Sequence, residues 1–126
     1  MSSSRPVFLS LTRLEYPVGA LASIGHRISG VLLLCLLPFA ALALQRSLAG
    51  EAQFASLLEG LRAPFGRALL VVAAWACAQH LSAGIRHLLS DFDIGSSLQA
   101  SRRSALAVLI AGAAVALAAL LAGLFA

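Results

Sequence analysis

Charged residues are scarce in this 126-residue sequence: they make up only 11% of the chain, and lysine is absent. Soluble domains carry about a quarter charged residues, so an ordinary soluble domain is excluded. The nine basic residues, all arginines, outnumber the five acidic ones and give a formal net charge of +4. The arginines are scattered between long apolar runs and form no basic stripe. We therefore predict no nucleic-acid partner.

Cysteine is also rare. Cys35 and Cys77 both lie inside apolar runs, and no C-x-x-C-H motif occurs. The sequence has no Cys/His spacing typical of a zinc site. A disulfide scaffold is excluded.

Apolar residues are abundant, at 60% of the chain, and they fall into three uncharged segments, 28–45, 68–85 and 105–126. At about 1.5 Å per residue, the first two each cover about 27 Å, close to the thickness of a bilayer's hydrocarbon layer. Because unpaired backbone groups are not tolerated in lipid, and no alternating barrel pattern occurs, these segments are predicted to be helices. We expect an all-α membrane protein: a single domain over residues 1–126, with three transmembrane helices in an up-down-up bundle. The expected spans are about 17–45, 67–89 and 98–125.

The arginines also predict the orientation in the membrane. Six of them flank one face of the bundle, whereas the connection on the other face carries three arginines together with two glutamates. The six are Arg5, Arg13, Arg27, Arg86, Arg102 and Arg103. The positive-inside rule then favours a cytoplasmic N-terminus. Residues 1–6 are too short for a transit peptide, which favours a bacterial cytoplasmic membrane.

The connections between the spans carry weaker signals. Phe54, Leu57, Leu58 and Leu61 follow the spacing of a short amphipathic surface helix. We prefer a membrane-hugging loop at this position. Other local signals are an interfacial aromatic at Tyr16, a kink at Pro38, and a cap of the third helix by Ser96 or Ser97.

Polar residues inside the second span are candidates for chemistry. His80 and His87 are seven residues apart, so they share one helical face at a separation of about 10 Å along the axis. His80 lies about 9 Å below the boundary that Arg86 marks. A histidine at this depth marks a proton path, a ligand or an interhelical hydrogen bond. A histidine that serves packing alone is the alternative.

The first helix carries Ser23, His26 and Arg27 at i, i+3 and i+4, so we expect the three side chains on one side of the helix, near its cytoplasmic end. Because the first two spans run antiparallel, these residues can converge with His80, His87 and Asp91. Asp91 can pair with Arg27, or belong to a solvated turn after the helix. Such a pocket suits a quinone, or haem propionates beside an imidazole-ligated iron.

Two motifs closely resemble one family. They are SIGHRISG at 23–30 and HLSAGIRHLLSD at 80–91, with RPV at 5–7 as a further match. Together they resemble the cytochrome b large membrane-anchor subunit of succinate dehydrogenase, respiratory complex II. This resemblance implies a subunit with no succinate chemistry of its own, which passes electrons from an iron–sulfur subunit to ubiquinone. The implied partners are a flavoprotein, the iron–sulfur subunit, a second small membrane anchor and the lipid bilayer.

The resemblance also implies roles for individual residues. His80 would be an axial ligand of a b-type haem, shared with the second anchor, which supplies the other ligand. Ser23 and Arg27 would line the ubiquinone site, with Asp91 nearby. His26, Arg27 and His87 would lie near the haem propionates. From the residues alone, His26 and His80 can also ligate iron together, although the family argues against it.

Two other functions are compatible with the same sequence. The first is the anchor of a fumarate reductase, which runs the reaction in the opposite direction. The second is a helix bundle that only scaffolds, with His80 as a packing residue, and it predicts no haem.

Overall fold

A computed structural model describes residues 17–125, which form four α helices in that part of the chain. They are α1 (Val18–Leu48), α2 (Glu51–Arg62), α3 (Pro64–Asp91) and α4 (Leu98–Phe125). Three of them, α1, α3 and α4, are long and apolar enough to cross a membrane. The expected all-α membrane bundle is therefore confirmed. The expectations for Arg5, Arg13, Tyr16 and the match at 5–7 lie outside the described residues.

Helix α1 is the longest, with 31 residues, or about 47 Å at 1.5 Å per residue. It begins after Pro17, whose backbone is extended. The Pro17 carbonyl accepts a hydrogen bond from the backbone N–H of Ala20 at 2.8 Å. The helix continues without interruption through Pro38. Since about 30 Å suffices to cross the hydrocarbon layer, α1 is long enough to reach beyond it or to tilt.

The segment after α1 corrects one expectation. Residues 51–62 form a 12-residue helix, α2, and the preferred loop is wrong. Gly50 starts the helix with φ of 143°, a backbone conformation that glycine adopts without steric cost. Glu51 in the first turn and Arg62 in the last turn both complement the helix dipole. Leu57, Leu58 and Leu61 are half-buried, as an amphipathic helix packed on α1 and α3 requires, and Phe54 is exposed.

A single extended residue, Ala63, separates α2 from α3, and Pro64 occupies the first turn of α3. Gly66 is buried against the backbone of α2, where a Cβ would lie 2.7 Å from the Cα of Leu61. At the other end of α3, Asp93 and Gly95 both have positive φ in the connection to α4. The Ser97 hydroxyl accepts a hydrogen bond from the backbone N–H of Ala100, with an N···O distance of 3.3 Å. Ser97 is therefore the cap of α4, one of the two serines that the sequence indicated.

Helices α1 and α3 each pack against the other three helices, and the most extensive contact is between α3 and α4. The buried apolar residues are small: Ala22, Ala76, Ala83, Ala105 and Val108. Small side chains let transmembrane helices approach closely. Two polar residues, Ser29 and Gln79, are also buried in this core, at 0% and 1% exposure.

The start of α1, the end of α3 and the start of α4 lie together, and we call this region the histidine end of the bundle. Arg86 is half-buried there and joins two helices. Its Nε donates to the Ser104 hydroxyl at 3.1 Å, and its Nη2 donates to the Ser101 hydroxyl at 3.0 Å. Sequence analysis treated Arg86 as an orientation signal, whereas the structure shows that it also ties α3 to α4.

Candidate functional site

Three histidines from two helices cluster at the histidine end. The ring centroids of His26 and His80 are 4.3 Å apart, with an angle of 31° between the ring planes. The centroids of His26 and His87 are 5.2 Å apart, with an angle of 35°. His26 comes from α1, and the other two come from one face of α3. Antiparallel packing of α1 and α3 thus brings these three predicted site residues together.

The ring of His80 is oriented by the backbone of α1. Its Nδ1 lies 3.2 Å from the carbonyl oxygen of His26 and 3.4 Å from the hydroxyl of Ser29. A carbonyl oxygen can only accept, so Nδ1 carries the proton and donates to it. In the neutral imidazole, Nε2 is then the nitrogen with a free lone pair. Metal-binding histidines commonly have this arrangement, in which a backbone carbonyl fixes the tautomer and the direction of the other nitrogen.

Ser29 and Gly30 support this arrangement, although sequence analysis assigned them no role. The Ser29 hydroxyl donates to the same His26 carbonyl at 2.8 Å and is buried. At Gly30, a Cβ would lie 3.0 Å from Cε1 of His80 and 3.3 Å from its Nδ1. The imidazole therefore packs where α1 has no side chain. Both residues belong to the motif at 23–30, and their small size was the only signal that the sequence offered.

Replacing Gly30 by alanine should displace the His80 ring. The added methyl group would lie closer to the ring than ordinary van der Waals contacts allow. A rigid imidazole cannot bend away from the methyl group as a flexible side chain can. If His80 ligates a b-type haem, as the resemblance implies, the Gly30→Ala complex should hold haem about tenfold more weakly, as is typical when an orienting contact of a ligand is lost. The measurement is the haem-to-protein ratio after detergent purification.

Gly60→Ala is the matched control, because nothing lies within 4 Å of a Cβ at Gly60. An unchanged haem ratio in Gly30→Ala would show that close packing of α1 on His80 is unimportant.

The three histidines line an open groove of about 420 Å³ between α1 and α3. Its remaining lining is Leu81, Gly84, Ile85 and Leu88. A Cβ at Gly84 would lie 3.9 Å from Nε2 of His26, which is an ordinary contact. The groove therefore combines apolar walls with imidazole nitrogens, the chemistry that an apolar, planar, metal-containing cofactor requires.

Arg27 lies in a second groove. It is exposed, and with Ile28, Val31 and Leu32 it lines a groove of about 290 Å³ along α1. Because consecutive residues of a helix are about 100° apart around its axis, His26 and Arg27 open onto different sides of α1. The expectation that both point to one side of the helix is therefore wrong.

Of the described residues that the sequence singled out, Ser23, Arg27 and Asp91 lie outside the histidine groove. Ser23 is half-buried, and Asp91 is exposed at the last residue of α3. The pairing of Asp91 with Arg27 stays a prediction.

Three long apolar helices with a polar site between two of them define a multi-pass α-helical membrane protein. Comparison with known proteins identifies the family to which it belongs. The chain belongs to the family described as succinate dehydrogenase/fumarate reductase transmembrane subunit, which matches residues 1–120.

A relative extends this finding. The chain is 37% identical over 114 residues to the succinate dehydrogenase cytochrome b556 subunit of Coxiella burnetii (strain RSA 493 / Nine Mile phase I), an alignment that covers 87% of this chain and 89% of that protein. The resemblance to a cytochrome b anchor subunit of succinate dehydrogenase is confirmed. As a membrane subunit of such a complex, the chain has partner subunits.

Proposed function

We propose that this chain is the large membrane anchor of a succinate:ubiquinone oxidoreductase. In this role it holds a b-type haem through His80, contributes part of the ubiquinone site, and passes electrons from an iron–sulfur subunit to quinone. The observation that carries the proposal is the hydrogen bond from Nδ1 of His80 to the His26 carbonyl, which leaves Nε2 free at an open groove. Haem bound there supplies a one-electron carrier.

The short distance between His26 and His80 argues against both rings holding one iron. Metal–nitrogen bonds are about 2.0 Å long, so two nitrogens on opposite sides of one iron are about 4 Å apart, and the ring centroids are farther apart still. The observed centroid distance of 4.3 Å is too short for iron between these rings. We therefore propose that His80, and not His26, would hold the haem iron, and that His26 and His87 would lie at the edge of the haem, near its propionates.

Arg27 and Ser23 are proposed to contribute to the ubiquinone site. A guanidinium and a hydroxyl both donate hydrogen bonds to a quinone carbonyl oxygen, and these bonds strengthen as negative charge develops during reduction. The groove beside Arg27 is lined by Ile28, Val31 and Leu32, which suit an apolar quinone ring. Asp91, one turn beyond His87, is proposed to lie near this site.

The surface of α1 supports a second membrane anchor as partner. Only Ala22 and Ser29 are buried in α1, although the helix has 31 residues. Val31 and Leu34 on its outer side are 63% and 71% exposed. A partner helix packed there would close the Arg27 groove and could supply the other haem ligand.

The flavoprotein and the iron–sulfur subunit are proposed to dock at the histidine end, where Arg102 and Arg103 are exposed. This end would then face the cytoplasm, with the N-terminus on the same side of a bacterial cytoplasmic membrane. The family description also includes fumarate reductase, so the anchor of that enzyme is the second candidate. Extraction and identification of the bound quinone distinguishes the two, because fumarate reduction usually pairs with a quinone of lower potential.

The reduced-minus-oxidised absorbance spectrum of the detergent-purified complex tests the proposal. We expect the bands of a b-type haem at about one haem per copy of this chain. A complex that assembles with its catalytic subunits but shows no haem band would overturn the assignment of His80. A chain that copurifies with no redox subunit would favour a plain scaffold.

A further inference from the structure

We infer that Gln79 is a positioning residue for His80: its side chain is a wedge between α1 and α4 that fixes the rotation of α3 about its own axis. The inference rests on the proposed haem role of His80. Gln79 directly precedes the motif at 80–91.

The burial of Gln79 is unusual for its residue type. At 1% exposure it is one of the two largest fully buried side chains, in a core otherwise built of small residues. Its Nε2 has no hydrogen-bond partner among the described residues. An unpartnered amide is costly to bury. The contacts that the described residues make with this side chain are close packing contacts on both neighbouring helices.

Two glycines on two different helices form the space that the amide fills. A Cβ at Gly25 of α1 would lie 2.8 Å from Nε2 and 3.4 Å from Cδ of Gln79. A Cβ at Gly112 of α4 would lie 2.5 Å from Oε1. Real Cβ atoms do not approach so closely, so an alanine at either position would force the amide to move. The two ends of one amide group thus contact both neighbouring helices at once.

Gln79 can control the rotation of α3 because its buried neighbours on this face of the helix have small side chains. Ala76 and Ala83, three residues before and four residues after Gln79, are buried on the same side of α3. Methyl groups permit close approach and give the helix little shape that would define its rotation. The hydrogen bonds of Arg86 to Ser101 and Ser104 restrict the rotation nearer the end of α3. A single buried polar residue can select one arrangement of packed helices in this way.

A rotation of α3 would act directly on His80, the next residue along the chain. Side chains extend about 5 to 6 Å from a helix axis, so a rotation of about 10° moves the imidazole by about 1 Å. The Nδ1 to His26 carbonyl distance is 3.2 Å, and an increase of that size would break the hydrogen bond.

Three variants of the intact complex test the wedge. Gln79→Ala removes it, Gln79→Met keeps its length and volume without the amide, and Gly112→Ala pushes a methyl group into its oxygen. We expect Gln79→Ala and Gly112→Ala to lower haem retention about tenfold and to shift the midpoint potential and the low-spin electron paramagnetic resonance signal of the remaining haem. Gln79→Met should keep all three properties, and its thermal stability should match or exceed that of the native complex because an unpaired amide is gone.

The control is Gly123→Ala, the same change on the same helix, where the new Cβ would make only an ordinary contact, 3.9 Å from Cδ of Arg67. A Gln79→Ala complex with native haem content, potential and resonance signal would overturn the inference, and so would a Gln79→Met complex as altered as Gln79→Ala. If Gln79→Ala fails to assemble, Gly112→Ala decides, and native haem properties in that variant would overturn the inference. A native complex without haem would instead refute the proposed function, so the two failures are distinguishable.

Discussion

The His80→Ala complex is expected to lose its haem while the subunits still assemble. Removal of the imidazole takes away the only ring nitrogen that the α1 backbone orients with a free lone pair among the described residues. Loss of a contact that merely orients a ligand costs about 10- to 100-fold in metal affinity, so loss of the ligand itself should cost at least that. The measurement is the haem-to-protein ratio, with subunit composition determined on the same sample.

His87→Ala is the matched control for this experiment. His87 belongs to the same cluster but is exposed and is assigned to the edge of the haem. The His87→Ala complex should therefore keep most of its haem. Imidazole added to a His80→Gly complex should restore binding, because it can occupy the space of the missing ring. Haem retained in His80→Ala and lost in His87→Ala would reverse the assignment of the two histidines.

The Arg27→Leu complex is expected to lose quinone reduction selectively. The guanidinium is proposed to stabilise the charge that develops on a quinone oxygen, and removal of one such donor typically costs about 10² to 10³ in turnover. Succinate oxidation by an artificial dye should persist, since that reaction bypasses the membrane site. The measurement is the ratio of the two activities in one preparation.

Two further arginine variants sharpen this test. Arg27→Lys keeps the charge but not the forked donor geometry, so its activity should fall between those of the native and leucine complexes. Arg46→Leu removes an exposed arginine from the other end of α1 and should leave both activities unchanged. Equal loss of dye and quinone reduction in Arg27→Leu would indicate an assembly defect and contradict a quinone role.

The proposed haem and quinone sites are neighbours because of one local feature of α1. His26 and Arg27 are consecutive, and helical geometry sends them to different sides of the helix. His26 lines the groove shared with α3, whereas Arg27 lines a groove formed by residues of α1 alone. In the proposed complex, the same two turns of α1 therefore separate an electron carrier from the quinone that it serves.

The sequence by itself determined the class of fold. Three segments without charge, each long enough to cross a bilayer, predict helices because lipid offers no partner to unpaired backbone groups. Seven-residue spacing placed His80 and His87 on one face of α3, and antiparallel order brought His26 to them. The sequence left residues 51–62 undecided, since an amphipathic pattern of 12 residues fits both a surface helix and a membrane-hugging loop, and the preference for a loop was wrong.

Only the tertiary structure decided how the histidines are held. The carbonyl of His26 that orients His80 has no sequence signature, because every residue has a carbonyl. Side chains of α3 pack against three glycines of the neighbouring helices, Gly25, Gly30 and Gly112. A glycine in an apolar run does not reveal which side chain packs against it. The burial of Gln79 between α1 and α4 likewise depends on how the helices pack, and the sequence did not indicate it. Local patterns determine which elements form, whereas contacts between distant residues depend on how the backbones approach, and that is decided when the helices pack.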